Sequence, residues 1–204
     1  NLNDPDWPDM LSAEDKYDVV VAADVLEHLY DPWNALQAMQ RFVNEDGCLV
    51  ISLPHVGHSA IAACLLQEDF NYRDWGLLDR THIRFFGISN MQALFENAGL
   101  KIVDAEFVVV PPEETEFSAV WSNLPARVQE ALGTNRFGTV YQVVIKAVAD
   151  NMPGAGLQLS SLPVESRTAN TGEKLKAIGR SRLSPATRHK IRMLISGLKS
   201  RLSG

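Results

Sequence analysis

The chain has 204 residues, is 46% hydrophobic and carries 19 Lys and Arg against 25 Asp and Glu, for a net charge of −6. That composition matches one globular domain plus a tail, and no apolar run approaches the ~18 residues that would cross a bilayer. Cys48 and Cys64 lie singly in apolar runs, which excludes a disulfide framework or paired-cysteine metal spacing and predicts buried free thiols in a cytosolic setting. The opening NLNDPDWPD has no basic-then-apolar leader pattern.

The charge is unevenly spread. Residues 173–204 hold nine Lys and Arg against Glu173 alone, a net +8, which leaves −14 on the other 172. An acidic body joined to a basic tail is two regions with different physics.

In chain order, the β-branched run at 17–23 predicts a buried parallel strand that stops at Asp24. Asp31-Pro32 supplies an N-cap and a proline at the first helical position, and Leu36, Met39, Phe42 and Val43 follow at helical spacing. Asn44 to Gly47 reads as a turn, and 48–53 as a second buried strand ended by Pro54. Strand, helix and strand together predict a right-handed parallel crossover. A helix is expected over 58–67, then a long aromatic and charged connection over 69–87; loops of that length in compact domains usually serve function. Ser89 is read as the cap of a helix of about ten residues that ends at Gly99. Strands follow at 100–110 and 138–148, separated by a helical insertion at 113–132 broken at Pro125. Residues 149–172, rich in Gly, Pro, Ser and Thr, read as a flexible linker. Beyond it, Ile191, Leu194, Ile195, Leu198 and Leu202 form one apolar stripe with a basic opposite face.

Ligands of open α/β sheets bind at the carboxyl ends of the strands. The first strand delivers Asp24 and then Glu27-His28 to that place. Three stretches carry a family resemblance: YDVVVAADVLEHLYDPWNAL, DGCLVISLPHVGH and YRDWGLLDRTHIRFFGISNMQALFENAGL. In that order they resemble the class I S-adenosylmethionine-dependent methyltransferases, and more narrowly the bacterial branch attached to or encoded beside glycosyltransferases. The resemblance covers residues 1–148. It implies an α/β fold, the carboxyl-terminal part of a Rossmann-like seven-stranded sheet whose last strand is antiparallel. The strands at 17–23, 48–53, 100–110 and 138–148 would be the fourth to seventh. The first three strands and their glycine-rich cofactor loop have no counterpart, so the native protein is expected to be longer.

The resemblance also assigns roles. Asp24 and Val25 would lie at the methionine end of S-adenosylmethionine, and Asn1-Leu2 would stand where the family's Asp-Leu pair brackets the adenine. Transfer to a hydroxyl requires a base, for which Glu27, His28, Asp79 and His82 are candidates; the two imidazoles titrate nearest neutral pH. A second reading makes Asp24, Glu27, His28 and His82 ligands of a cation such as Mg²⁺ or Mn²⁺, since carboxylate and imidazole together suit such ions. That set is similar to the Glu-x-x-Glu-His plus distant His of metal-dependent RNA 3′-end methyltransferases, with Asp24 in place of the first Glu. Structural readings stand beside these: His28 shaping the pocket, His82 with Asp79 as a loop pair, His55 and His58 as loop surface or substrate contacts, Phe85 and Phe86 as core.

The resemblance implies an O-methyltransferase acting on a bacterial glycan or sugar-lipid acceptor, with a small-molecule O- or N-methyltransferase and an inactive docking module as alternatives. The tail reads as a solvated helix or link, or as an amphipathic helix on an anionic membrane face. No aromatic residue lies in 173–204, which argues against stacking on nucleic acid. The expected location is cytoplasmic, with peripheral membrane contact and association with a glycosyltransferase as expected partners.

Overall fold

The computed structural model describes residues 1–12 and 15–165. The expected tail helix and the end of the expected linker lie outside the described residues. Four strands form one mixed sheet in the order β1-β2-β4-β3. β1 (Tyr17–Ala23) pairs parallel with β2 (Val43–Pro54), from Val19 opposite Cys48 to Ala23 opposite Ser52. β4 (Val140–Ala149) runs antiparallel between β2 and β3 (Leu100–Val109). The last strand is therefore antiparallel and inserted next to the third, the arrangement the resemblance implies; the sheet of described residues has four strands, not seven.

Side chains alternate across these strands with the period of two that the pleat imposes. Leu49, Ile51 and Leu53 of β2 and Val143, Ile145 and Ala147 of β4 are all buried, with Ile51 opposite Ile145 in register. β1 differs from its expected character. Among the described residues it is an edge strand paired only with β2, and Tyr17 and Val21 are exposed.

The crossover helix α1 (Pro32–Gln40) starts at Asp31, whose Oδ1 accepts the Asn34 amide at 2.9 Å. Its buried face carries Ala35, Leu36 and Met39. Full burial of a leucine such as Leu36 contributes roughly 1.5–3 kcal/mol. The expected turn at 44–47 lies within β2. From Tyr17 to Val19 β1 advances two residues while β2 advances from Val43 to Cys48, so the turn-forming residues are absorbed as a bulge.

α2 (Ser59–Leu66) is capped by His58, whose Nδ1 accepts the Ala60 amide at 3.1 Å. α3 (Ile88–Asn97) begins two residues earlier than expected. Gly87 is its N-cap, and the Asn90 side chain accepts the Gly87 amide. Gly99 ends it at φ +72, a conformation only glycine adopts without strain. The insertion holds two short helices, α4 (Ser118–Ser122) and α5 (Ala126–Gly133), split at Pro125 as expected.

Most of the buried apolar residues form one core between the sheet, α1 and α3; a smaller cluster of Ala60, Ile61, Cys64, Leu77, Leu78 and Phe117 joins α2, the aromatic connection and the insertion. Phe86 is core, whereas Phe85 is exposed.

Residues 150–165 depart from a linker. The Leu157 amide donates to Ile102 O at 2.7 Å, Leu159 is fully buried, and Arg136 donates to the carbonyls of Ser160 and Leu162. Apolar residues spaced among Gly, Pro and Ser bind this strap back onto α3 and β3.

Candidate active site

β1 ends at Ala23, and the chain reverses direction at once. Asp24 takes φ +52, a left-handed conformation that short polar side chains tolerate best. Its backbone amide donates to Ser52 Oγ at 3.1 Å, the Ser52 hydroxyl donates to its Oδ1 at 2.9 Å, and the Gln142 amide donates to the same oxygen. Asp24 thus ties together the ends of β1, β2 and β4 on the exposed rim. Val25 follows, partly buried against the main core.

A single 3-10 turn, Leu26–His28, then drives Leu26 into the core and Glu27 inward with it. Glu27 has no exposed surface, and neither carboxyl oxygen has a hydrogen-bond partner. Burial, reinforced by the charges of Asp24 and Asp79, pushes its carboxyl up to about 8. At neutral pH it is therefore mostly protonated.

The aromatic connection returns to this turn. The amides of Ile83 and Arg84 both donate to the Glu27 carbonyl, at 2.9 and 3.0 Å. His82, buried, thereby faces Glu27, with Nε2 3.9 Å from Oε1. Burial, aided by His28, holds the His82 imidazole below its usual range. Both shifts favour neutral forms, so the pair is not an ion pair at neutral pH. The His28 and His82 rings meet edge to face at 4.8 Å.

Each imidazole is oriented by a backbone carbonyl of the same connection. His28 Nδ1 donates to Thr81 O at 3.1 Å and His82 Nδ1 to Leu77 O at 3.3 Å. A carbonyl can only accept, so each Nδ1 carries a proton, and in the neutral ring the lone pair is at Nε2. Asp79 acts one step back. Its Oδ1 accepts from the Thr81 amide at 2.8 Å and the Thr81 hydroxyl at 2.6 Å, which holds the residue whose carbonyl orients His28.

Of the expected site residues, the fold brings Glu27, His28 and His82 into one cluster whose ligand atoms all lie within 4.8 Å of one another. Asp79 supports that cluster without joining it. Asp24 is engaged by Ser52 and Gln142 instead. Asn1 and Leu2 are exposed, in a segment held by Asn3, whose side chain accepts the Tyr30 amide at 2.7 Å. His55 and His58 are buried: His55 Nδ1 donates to Val140 O and His58 Nε2 to Val110 O.

Sequence reading missed Gln142, Ser52 and Glu116. Glu116 accepts the Leu77 amide at 2.7 Å and the Tyr141 hydroxyl at 3.1 Å, anchoring the connection that carries His82. None of the three sits in a pattern that marks it locally.

The chain belongs to the methyltransferase-domain family, whose model matches residues 2–105. No curated protein matches it. Among solved structures it is similar to a candidate methyltransferase from Bacillus halodurans, with 15% identity over 65% of this chain and 64% of that one, at a TM-score of 0.41. An S-adenosylmethionine-dependent methyltransferase from Thermotoga maritima is similar at 16% identity, with 69% and 59% covered and a TM-score of 0.43. An O-methyltransferase of a Brevibacillus brevis multienzyme, solved with S-adenosyl-L-homocysteine, gives 14% identity, 65% and 44% covered, and 0.38. The chain spans less than two thirds of the length of each of these.

Proposed function

We propose that this chain forms the acceptor side of an S-adenosylmethionine-dependent O-methyltransferase. The observation that carries the reading is the Glu27–His28–His82 cluster, with Glu27 and His82 buried and His28 partly exposed, set just beyond the carboxyl end of β1 in a methyltransferase-family domain. Methyl transfer is an in-line displacement at a sulfonium carbon. The cofactor leaves as a neutral thioether, so the protein's work is alignment and removal of the acceptor's proton. Alignment of bound partners is worth roughly 7–11 kcal/mol in oriented reactions.

An imidazole whose Nδ1 is held by a backbone carbonyl offers Nε2 as the proton-accepting atom. His28 is the more accessible of the two and is the proposed base. His82 and the protonated Glu27 form the buried wall behind it. Asp24, bonded at the strand rim through its amide and Oδ1, is assigned the methionine end of the cofactor through its second carboxyl oxygen.

The acceptor is proposed to be a glycan or sugar-lipid hydroxyl, on the strength of the sequence resemblance alone, an associational warrant. With it come a cytoplasmic setting, association with a glycosyltransferase, and contact of the basic 173–204 segment with anionic lipid. Among the described residues, no helix is long and apolar enough to cross a membrane.

The test is S-adenosylhomocysteine formation by the native-length protein, with sugar-lipid, free-glycan and small-phenol acceptors in parallel. Turnover on the sugar acceptors is expected. Turnover on phenols alone would move the assignment to a small-molecule enzyme, and none with any hydroxyl acceptor would overturn it.

A further inference from the structure

We propose that the cavity between α1, α3 and residues 84–86 binds a phosphoryl group carried on an apolar body. The binding stands on the geometry alone; its use in anchoring a methyl acceptor rests on the methyl-transfer reading above.

The cavity measures about 160 Å³, and no member of the Glu27–His28–His82 cluster lines it. Its apolar walls are Trp33 from α1, Phe85 and Phe86 from the aromatic connection, and Leu94 from α3. At about 30 Å³ per water it has room for roughly five waters, the size of an oxyanion head and the first carbons behind it. Trp33 is 45% exposed and Phe85 40%. Two large aromatics left wet on one cavity, with polar residues among them, are the mark of a surface that meets a ligand.

The polar side chains of the lining are donors. The Arg84 guanidinium lies over the Trp33 ring at 5.8 Å, a cation–π contact that helps to orient it. Its Nε and Nη2 both donate to Tyr30 O. That spends one edge of the fork and leaves the Nη1–Nη2 end, where two N–H groups side by side suit a bidentate oxyanion. Among the described residues no carboxylate pairs with Arg84, although Arg41 has Asp9 and Arg80 has Asp74. Asn90 lines the same cavity, and its Oδ1 accepts the Gly87 amide at 3.2 Å, so its side-chain nitrogen remains to donate. The Trp33 indole N–H is a third donor. Three donor-bearing side chains suit the three oxygens of a phosphoryl head better than the two of a carboxylate. A cation ringed by donors, with no acid lining the cavity, is a local exception in a body of net −14, and it attracts an anion.

The same two segments carry this cavity and the cluster. Glu27 O accepts the Ile83 and Arg84 amides, His28 Nδ1 donates to Thr81 O, and the Arg84 side chain closes on Tyr30 O. Arg84 stands two residues from His82, so their Cα atoms lie within ~7 Å. A phosphoryl group seated on Arg84 therefore holds the rest of its molecule near the proposed base, and such positioning is what methyl transfer requires.

The experiment is calorimetric titration of the full chain with hexyl phosphate, and with hexanoate, hexanol and inorganic phosphate for comparison. Hexyl phosphate is expected to bind once per chain with a dissociation constant of about 300 μM or tighter. Each comparison ligand should bind at least tenfold more weakly. Ala93→Glu sets a carboxylate at the cavity from the exposed side of α3, with a residue that helices accept, and should weaken hexyl phosphate at least tenfold. Ala131→Glu, the same change on α5, should leave it unchanged. Arg84→Met should match Ala93→Glu; if it fails to fold once the Tyr30 contact is lost, Ala93→Glu still decides. Hexanoate bound as tightly as hexyl phosphate overturns the phosphoryl head, and inorganic phosphate bound as tightly overturns the apolar body. Affinity weaker than about 3 mM, or indifferent to Ala93→Glu, overturns the site. Tight binding by a native-length protein inert toward every acceptor keeps the pocket and sinks the proposed reaction. Turnover by a protein that ignores hexyl phosphate keeps the reaction and sinks the pocket.

Discussion

Two clusters of the same composition, two histidines and a glutamate, sit in this small domain and have opposite characters. In one, His58 uses both ring nitrogens, on Val110 O and the Ala60 amide, Glu116 accepts from the Leu77 amide and the Tyr141 hydroxyl, and His55 donates Nδ1 to Val140 O. In the other, Glu27 has no partner and His28 and His82 each keep a free nitrogen. Residue type does not separate structure from chemistry here; hydrogen-bond completion does. A satisfied buried network adds stability, whereas an unsatisfied one costs stability and persists where a ligand or reaction uses it.

The largest effect that could break this contrast is on turnover. In the native-length protein, His28→Ala and His82→Ala should each lower kcat by ~10²–10⁴, the scale of acid–base assistance. Both should leave the affinity for S-adenosylmethionine almost unchanged. Equal turnover in wild type and both variants, measured as S-adenosylhomocysteine release, would make the two clusters alike after all.

Stability should show the reverse asymmetry. Glu116→Ala orphans the Leu77 amide and the Tyr141 hydroxyl, and each buried unpaired group costs roughly 1–3 kcal/mol. Glu27→Met, an apolar side chain of similar length in a fully buried position, should be neutral or stabilising by about 1 kcal/mol. Urea melts of the two variants decide it. A Glu27 variant as destabilised as the Glu116 variant would mean that Glu27 has a structural partner.

Much of the architecture was legible in the sequence because local signals agreed with the fold. Val19 to Ala23, Asp31-Pro32, the 48–53 run and Gly99 each mark an element that formed where expected. Glu27-His28 was legible because it follows a strand directly. What remained hidden depends on distant chain. The orphaning of Glu27 cannot be read from its neighbours, since it requires that His82 pack over it from more than fifty residues away. Asp24 was expected at the methionine end of the cofactor or as a metal ligand; its bonds to Ser52 and Gln142, made from a left-handed backbone, involve distant chain and have no local mark. The strap at 150–165 was masked by its Gly, Pro and Ser content, because Leu157, Leu159 and Leu162 are too sparsely spaced to show a period. The Asn44 to Gly47 turn signal was real but was accommodated as a bulge inside β2.

Titration separates the clusters by sign. Glu27 is pushed up to about 8 in the folded state from its ordinary 4.5, so between those limits the folded state holds a proton that the unfolded state has lost. Its contribution to stability is therefore complete below about pH 4.5 and falls away as pH rises toward 8. His55 and His58 are held below their usual 6.5 by burial, so their contribution is complete above 6.5 and falls as pH drops beneath it. Glu27→Gln should flatten the neutral limb of a stability–pH profile, and His58→Asn, which keeps a capping acceptor, should flatten the acid limb. Identical profiles for both variants would remove the distinction.

The smallest stability effect, and the sharpest discriminator, belongs to Asp79. It is partly exposed and bonds only within its own turn, to the amide and hydroxyl of Thr81. Asp79→Ala should change unfolding free energy by no more than ~1 kcal/mol, in keeping with the loss of surface hydrogen bonds. Its consequence should appear at His28 instead. With the Thr81 peptide released, the carbonyl that accepts from His28 Nδ1 loses its fixed direction, and the imidazole is free to populate its other tautomer. Nitrogen NMR of labelled histidine should then show the His28 pair of shifts moving toward an average, while those of His58 stay fixed, because both nitrogens of His58 remain engaged. Asp79→Asn, which keeps an acceptor oxygen, should restore the wild-type His28 shifts. If His28 is unchanged in Asp79→Ala, its tautomer is set by something other than the connection above it, and the bracing role of Asp79 fails even though the cluster stands.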